Sequence, residues 1–456
     1  MHHCNKFILF LSAILLFGTA VAQKGTQSPY SVYGLGELRS GKYAYFNALG
    51  GTQIANTDST IITQSNPASY AGIERNRPIF QVGLNGTFSN LVTDNSSAQT
   101  RQFGLDQFQL GLPIGKRFGA ALGLTPFSST GYLISNPIFE GTDTVAQKIN
   151  EGKGTLSNFH VGIGYKQKFG KSSSFSIGAN LNYVFGESER IESYEYTSYP
   201  DDALHSRVKT STYLSDFKFD FGAIYEQKLY RSSFSLAATV SPAANMSGSS
   251  QLVAFAYSQS FYQNYSYSGA ISDTAKFLTD ITGEAKIPLA FKIGGEYRIM
   301  PCPGSNLSYL LILKGEYNQQ NWKDYQTSFG NSANDTSMLN RTHYKFGLEY
   351  TPRAGAKAND NLAPYLSKLH YRMGINYMLS ELNIQNTQIQ NYGISFGLGI
   401  PVLNGNSNTN LNLGVTYNAF GTTENNLILE QNLGLSFGIS ISPGVYDRWF
   451  MKRKYD

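Results

Sequence analysis

Apolar and polar residues alternate along much of the chain. In residues 175–185, FSIGANLNYVF, aromatic and aliphatic side chains occupy every other position, with serine, glycine and asparagine among the rest. Residues 433–441, LGLSFGISI, repeat the pattern. Because successive side chains of a β-strand point to opposite faces, each stretch predicts a strand with one apolar and one polar face.

Segments of this kind recur from residue 79 to residue 442, which predicts an all-β fold of about 14 antiparallel strands. Residues 241–285 alternate less clearly and fit either one long loop or a further hairpin. The strands are predicted near residues 79–91, 101–115, 118–132, 154–169, 174–190, 211–228, 233–255, 284–299, 306–322, 341–352, 367–380, 388–402, 409–420 and 427–442.

The predicted connections alternate between short and long. Short turns near 115–117, 170–173, 230–232 and 300–305 alternate with long polar loops near 133–153, 191–210, 241–283 and 323–340. Outer-membrane β-barrels have short periplasmic turns and long external loops, and an even number of strands brings both chain ends to the periplasmic side. The connections therefore predict a barrel that spans the outer membrane.

The charges of the predicted strands lie on the face opposite the aromatic and aliphatic residues. One charge that faces lipid at the midplane costs about 2–4 kcal/mol, so we expect these residues to line the lumen. A soluble β-sandwich is the alternative, but so many long, tyrosine-rich strands are unusual for it. The charged residues include Lys166, Lys218, Asp220, Glu226, Lys292, Glu296, Arg298, Lys345, Glu349 and Arg372.

The two ends of the chain predict export and a basic tail. Residues 1–22 contain one lysine, an apolar run and small residues before the expected cleavage after Ala22, which is typical of a secretory signal peptide. Cys302 is then the only cysteine, so we expect no intrachain disulfide. Residues 443–456 form the tail. The net charge of +5 is scattered along the chain and gives no support for nucleic-acid binding.

Residues 23–78 do not alternate like strands. Glycine, asparagine, serine and small apolar residues dominate this segment, and a stretch this long that is not highly charged argues against a free linker. We expect it to pack inside the barrel as a hatch or plug. The compact pieces NALGGT, at 47–52, and SNPASY, at 65–70, lie within it.

This segment resembles a known family. Gly50 and Gly51 with Ala55, followed by Asn66-Pro67-Ala68, are similar to the N-terminal hatch of the FadL-type outer-membrane transporters of long-chain fatty acids and hydrocarbons. The resemblance implies a fourteen-stranded barrel, a ligand site against the hatch that includes these residues, and release sideways through a gap in the third strand. Residues 28–38, SPYSVYGLGEL, and 447–455, DRWFMKRKY, look like the Bacteroidetes branch of the family.

Two of the matching elements have a simpler structural explanation as well. Pro126 lies inside the predicted third strand, where a proline marks an edge, a bulge or a break. It is either a kink that opens the wall or a bend near the rim. Asn66-Pro67-Ala68 also fits a tight turn, because asparagine and proline favour turns.

The sequence predicts no enzyme, metal site or cofactor. No two of the six histidines have the spacing of a zinc pair, and Gly170-Lys171-Ser172 lacks the glycine of a phosphate loop because Tyr165 takes its place. A lipid-acting enzyme that uses His160 is a third alternative, although a solvated lumen histidine is the simpler interpretation.

The leading hypothesis is a channel for passive uptake of hydrophobic small molecules, with outer-membrane lipid and such a ligand as its partners. The alternative is a protein-binding barrel subunit that works with type IX secretion. Aromatic residues in the predicted loop would suit either partner. They are Phe255, Tyr257, Phe261, Tyr262, Tyr265 and Tyr267.

Overall fold

The computed structural model describes residues 26–39, 43–196, 204–257, 271–299, 309–329, 338–353, 363–402 and 409–442. The predicted signal peptide, the basic tail, the turn near 300–305 and four of the six loop aromatics (Phe261, Tyr262, Tyr265 and Tyr267) lie outside these residues. Among the described residues, no helix is long and apolar enough to cross a membrane.

Within the described chain, fourteen antiparallel strands form the wall, and β14 pairs with β1 from Leu429 and Val92 to Ile441 and Phe80, which closes the barrel. The predicted barrel and its strand number are confirmed. The strands are β1 (Ile79–Val92), β2 (Ser97–Ile114), β3 (Phe118–Glu140), β4 (Asp143–Phe169), β5 (Ser173–Tyr196), β6 (His205–Lys228), β7 in two parts (Ser232–Ser241 and Ala244–Tyr257), β8 in two parts (Ile271–Ile287 and Ala290–Ile299), β9 (Leu310–Gln320), β10 (Arg341–Thr351), β11 (His370–Ile384), β12 (Thr387–Pro401), β13 (Asn410–Phe420) and β14 (Leu429–Ile441).

The wall has an apolar outer face and a polar lumen. Ile177, Phe219 and Phe346 are about half exposed on the outside, whereas the lumen residues Glu349 and Arg372 are buried. In a bilayer, only a closed barrel pairs every backbone group of a sheet. The protein is therefore an outer-membrane β-barrel, with its aliphatic and aromatic residues in contact with lipid.

The strands of the wall differ greatly in length. In β3 to β6 each strand has 23 to 27 residues, whereas β9, β10 and β13 have 11 each. A tilted strand needs only about 9–11 residues to span the membrane. We call β3 to β8 the tall half of the wall and β9 to β14 the short half, and the tall half extends well beyond the membrane.

The extensions of these strands occupy residues that were predicted as loops. Residues 133–153 and 191–210 were expected to be loops, but β3 and β4 continue to a tight turn between Glu140 and Asp143, and β5 continues to Tyr196. Most of residues 241–283 is likewise strand, in the upper parts of β7 and β8. Above the membrane neither face of the sheet meets lipid, so the strand continues while the apolar alternation ends.

A line of breaks separates the upper sheet from the barrel. The break in β7 contains Pro242 and the break in β8 contains Pro288, and the paired residues Ser241 and Ala290 lie directly below them. Proline has no backbone N–H for the ladder, so the sheet bends here. At and above this line the sheet packs around an apolar cluster formed by Leu156, Val184, Leu214, Met246, Ala285, Ile287 and Phe329.

The N-terminal segment, residues 26–78, contacts the lumen face of the wall. It contains a 3-10 helix at Pro29–Val32, a short strand at Glu37–Leu38, helix α1 at Ala44–Asn47 and a 3-10 helix at Pro67–Gly72. Most of its aromatic and aliphatic residues are buried. The remaining elements are 3-10 helices at Trp322–Asp324 and Glu424–Asn426, a short strand at Gln326–Thr327 that pairs with β8, and helix α2 at Ala363–Leu366.

Candidate functional site in the barrel lumen

Gly50 and Gly51 lie where the N-terminal segment touches β10 and β11. Their φ angles are +65° and +82°, a conformation that glycine adopts without strain. A Cβ atom on Gly50 would lie 2.6 Å from the backbone oxygens of Phe346 and Ile375. Gly50 N also donates to Ser395 Oγ at 3.0 Å. The two glycines therefore let the backbone of the segment lie directly against the wall.

Asn66, Pro67 and Ala68 lie on the opposite wall and begin the second 3-10 helix. Asn66 is fully buried, and its side-chain oxygen caps this helix by accepting from Ala68 N at 3.1 Å. Its side-chain nitrogen donates to Ile54 O at 2.8 Å. The three residues thus form a tight turn that also ties two parts of the segment together.

The wall beneath this turn has no side chains. Gly119, Gly164, Gly178 and Gly222 are direct neighbours across β3 to β6. A Cβ atom on Gly178 would lie 2.4 Å from the carbonyl carbon of Pro67. We call these four residues the glycine floor, because they give the backbone of residues 66–71 room to lie on the sheet.

Buried charges hold the other side of the segment. Glu316 on β9 accepts from the backbone N–H groups of Gln53, at 2.6 Å, and Ile54, at 3.1 Å. It also pairs with Lys345 at 2.9 Å, and Lys345 donates to Gly51 O at 3.1 Å. Desolvation offsets much of the attraction in such a pair, but removing one partner leaves the other buried and unpaired.

A second group of charges surrounds the aromatic residues of helix α1. The guanidinium of Arg372 lies 4.3 Å from the centre of the Tyr45 ring and pairs with Glu349 at 2.7 Å. Lys314 pairs with Glu296 at 2.9 Å and donates to an oxygen of the segment, Asn56 Oδ1, also at 2.9 Å. Of the lumen charges predicted from the alternation, Glu296, Lys345, Glu349 and Arg372 are therefore in ion pairs, and Lys345 also contacts the segment.

The wall has an open seam beside Pro126. The pairing of β2 with β3 runs only from Ile114 and Phe118 to Phe108 and Leu124. Beyond this point β2 pairs only with β1, and β3 pairs with β4 up to its end. Pro126 lies two residues past the last pair, so the seam begins beside the proline that the sequence singled out.

The first part of the N-terminal segment occupies this seam. Glu37 and Leu38 pair with Ser129 and Ser128 of β3. Farther up, Ser31 Oγ accepts from Gly131 N at 3.0 Å. On the other side of the seam, the side-chain nitrogen of Gln27 donates to the backbone oxygen of Arg101 on β2 at 3.3 Å. Residues 26–39 therefore lie between the two free strand edges.

The predicted site residues do not form one site. Gly50 and Gly51 line a cavity of about 230 Å³, which lies between the segment and the short half of the wall. Pro126 lines an adjoining cavity of about 210 Å³, which shares lining residues such as Leu38, Gln53 and Lys345 with the first. Asn66 and Pro67 line neither cavity. The partners of the segment on β8 to β11 were missed as site residues, because only the folded barrel brings them to it.

His160 differs from its expected state. It is completely buried, and neither ring nitrogen has a hydrogen-bond partner among the residues that the structure describes. The expectation of a solvated histidine is therefore wrong. Gly123 and Asn182 are its register partners on the neighbouring strands.

The closed barrel, the filled lumen and the seam define a class of outer-membrane barrel with an internal N-terminal segment. The chain belongs to the BamG family, whose model matches residues 4–456. No curated protein matches the chain significantly.

Two solved structures show the same fold. The toluene transporter TbuX of Ralstonia pickettii is 13% identical, with a TM-score of 0.50 over 88% of this chain and 98% of that one. The toluene transporter TodX of Pseudomonas putida is also 13% identical, with a TM-score of 0.51 over 89% of this chain and 98% of that one. The likeness agrees with the FadL-type barrel that the resemblance implies.

Proposed function

We propose that the protein is an outer-membrane channel for passive uptake of hydrophobic small molecules, such as long-chain fatty acids or hydrocarbons. The N-terminal segment gates the passage, and the molecule leaves sideways through the seam beside Pro126. The observation that carries the proposal is the early end of the β2–β3 pairing at Phe108 and Leu124, which leaves two free strand edges in one wall.

The position of the seam suits an apolar solute. Phe103 and Leu105, on the β2 edge, are more than half exposed, so the outer face beside the seam meets lipid. A molecule that leaves there enters the hydrocarbon without crossing water, which favours apolar molecules over ions. The transport of toluene by two proteins of the same fold supports this solute class.

The gate is the part of the segment that occupies the seam. The described contacts of residues 26–39 include the short strand pairing at Leu38 and Ser128, the hydrogen bond of Ser28 to Glu430 and the packing of Tyr30 in a small apolar cluster. In contrast, residues 51–57 are held by buried ion pairs. In the proposed gating step, residues 26–39 leave the seam while the charge-anchored residues 51–57 stay in place.

A disulfide across the seam tests this gate. Leu38→Cys with Ser128→Cys links register partners, in a Cys302→Ala background that removes the predicted remaining cysteine. Oxidised protein in liposomes is expected to take up fatty acid no faster than empty liposomes, and a reductant is expected to restore uptake.

The matched control links two wall strands outside the gate. Ile114→Cys with Phe118→Cys joins register partners of β2 and β3 below the seam and is expected to leave uptake unchanged. Equal uptake by the locked and reduced gate variants would refute the seam as the route. No uptake by the unmodified protein would refute the channel itself.

A protein-binding barrel is the second candidate, and the tall half favours it. The β5–β6 extension places an ordered sheet far above the membrane, where a small solute has no use for it. Replacing residues 191–209, between the register partners Arg190 and Thr210, with an Asn-Gly turn shortens that hairpin. Loss of a co-purifying protein with normal uptake would support this candidate, and the reverse result would support the channel alone.

A further inference from the structure

Three turns at one end of the barrel are basic. They connect β2 with β3 at residues 115–117, β4 with β5 at residues 170–172 and β6 with β7 at residues 229–231. Short turns of outer-membrane barrels face the periplasm. These turns carry four exposed cations and no carboxylate, and we call the four residues the basic rim: Lys116, Arg117, Lys171 and Arg231.

The short turns at the other end of the barrel differ in charge. Among the described residues they are 93–96, 141–142, 385–386 and 421–428. They contain Asp94 and Glu424 but neither lysine nor arginine. In the described short turns, positive charge therefore lies at the periplasmic end alone, although it looks scattered along the sequence.

The three basic turns are neighbours along the wall. Lys166 N donates to Arg117 O at 2.8 Å, and Lys228 N donates to Ser172 O at 2.7 Å, so each turn touches the strand that leads to the next turn. Two strand spacings are about 10 Å, which is close to the Debye length of about 8 Å at physiological salt. Cations of neighbouring turns therefore repel one another unless an anion lies between them.

No carboxylate of the described residues forms an ion pair with the basic rim. Glu226, near the end of β6, pairs with Lys166 at 2.8 Å instead. Glu226 is also the one carboxylate in the lining of a cavity of about 230 Å³ beside the turn at 170–172, and this lining includes Lys168, Lys171 and Lys228. The positive surface therefore continues from the turns into the mouth of the lumen.

Aromatic residues that face lipid border the basic rim. Arg117 Nη1 donates to the Tyr165 hydroxyl at 3.4 Å, and the centres of the Tyr165 and Phe118 rings are 4.9 Å apart. The Arg231 guanidinium lies 5.9 Å from the centre of the exposed Tyr230 ring. Tyrosine rings collect at the level of the lipid head groups. The basic rim is therefore continuous with the lipid-facing wall at the depth of the head groups.

We propose that the basic rim binds the phosphate groups of anionic phospholipids in the periplasmic leaflet of the outer membrane. Basic residues beside a bilayer attract anionic lipids, and each of them adds to the affinity. Charge complementarity selects an anion, and the continuity with the lipid-facing wall selects a lipid over an acidic protein. This role goes beyond uptake of hydrophobic molecules and does not depend on it.

Lipid titration of the full-length barrel in a neutral detergent, followed by native mass spectrometry, tests the basic rim. The probes are phosphatidylglycerol and phosphatidylcholine with the same acyl chains. The unmodified protein is expected to bind phosphatidylglycerol about tenfold more tightly than phosphatidylcholine. The triple variant Lys116→Gln, Lys171→Gln, Arg231→Gln removes one cation from each turn, and its preference is expected to fall below about threefold.

Two further triple variants serve as controls. Arg101→Gln, Lys276→Gln, Lys323→Gln removes three exposed cations from the outer side of the barrel and is expected to leave the preference unchanged. Lys116→Arg, Lys171→Arg, Arg231→Lys keeps the charges of the rim and is expected to retain the preference within about twofold.

Two results would overturn the proposal. One is equal affinity of the unmodified protein for the two lipids, which is decisive even if the rim variant folds poorly. The other is a full preference for phosphatidylglycerol in the folded rim variant, because other residues would then bind the lipid.

Polyglutamate separates a lipid from an acidic protein partner. In nanodiscs of phosphatidylglycerol, lipid phosphates occupy the rim, so polyglutamate is expected to bind the unmodified protein and the rim variant equally. Binding to the unmodified protein that is about tenfold tighter would overturn the lipid assignment in favour of an acidic protein. Because these experiments measure equilibrium binding and the liposome assay measures flux, either proposal can fail without the other.

Discussion

The two sides of the barrel hold the N-terminal segment in different ways. On the β8–β11 side, buried charges such as Glu316 and Lys345 fix residues 51–57. On the β3–β6 side, residues 66–71 rest on the glycine floor and make neutral hydrogen bonds, such as the 3.0 Å bond from Tyr70 to Asn180. On one side, charged residues fix the position of the segment along the wall. On the other side, the absence of side chains sets its distance from the wall.

The largest expected effect comes from the charged side. Glu316→Ala leaves Lys345 buried without its ion-pair partner and two backbone N–H groups of the segment without their acceptor. The free energy of unfolding is expected to fall by about 3–5 kcal/mol. Urea unfolding in lipid vesicles measures this loss, with Glu140→Ala, at an exposed position, as the control. A loss below 1 kcal/mol would contradict the role of Glu316.

The glycine floor is expected to give the next largest effect. Gly178→Ala places a Cβ atom 2.4 Å from Pro67, so the segment must move away from the wall. Overpacking of this kind costs about 1–3 kcal/mol. Gly104→Ala is the matched control, because its Cβ atom meets nothing within 4 Å. Equal unfolding free energies for the two variants would show that the segment does not rest on the floor.

A smaller loss is expected at the turn of the segment. Asn66→Ala removes the cap of the 3-10 helix and the hydrogen bond to Ile54 O. The free energy of unfolding is expected to fall by about 0.5–2 kcal/mol. Protease cleavage within residues 51–78 should become faster in this variant than in the unmodified protein. An unchanged cleavage rate would show that the cap does not hold the turn.

The smallest effect is expected in the upper sheet, outside the membrane. Burial raises the pKa of Glu189, but the hydrogen bonds and charges of Lys209 and Lys153 together lower it by more. The pKa of Glu189 therefore lies below its usual value. Because the folded-state pKa is depressed, this stabilisation is full above the unfolded-state pKa and is lost as pH falls through the folded-state pKa.

Such a pair at the surface contributes up to about 1 kcal/mol. Proteolysis of the β5–β6 extension is expected to accelerate as pH falls below about 4. Glu189→Gln should show a smaller pH dependence at the same sites. An identical pH profile for the two proteins would assign the acid sensitivity to other groups.

The strands that span the membrane could be predicted from the sequence, because lipid on one side and a polar lumen on the other impose a strict alternation. The extensions could not, because above the membrane no lipid imposes this alternation on the same strands; residues 133–153 therefore looked like a loop. Asn66 was predictable as a turn residue. Its position directly over Gly222, where a Cβ atom would meet the Asn66 side chain, was not, since 156 residues separate the two along the chain.

The buried charges show a similar limit. Alternation placed Lys345 on a strand with a polar face, and lipid energetics placed that face in the lumen. Nothing local indicates that Glu316 caps Gln53 and Ile54, because the contact is formed only after the barrel closes. Period-two patterns report the environment of a strand and carry no information about its distant partners.

The glycine floor also has a consequence for the cell. Where Gly119, Gly164, Gly178 and Gly222 line the lumen, the wall is bare backbone, and the N-terminal segment alone fills that space. A barrel that closed before its own N-terminus entered would leave the cell envelope leaky. The segment is therefore expected to enter the lumen while the barrel assembles, so that the membrane never contains an open pore.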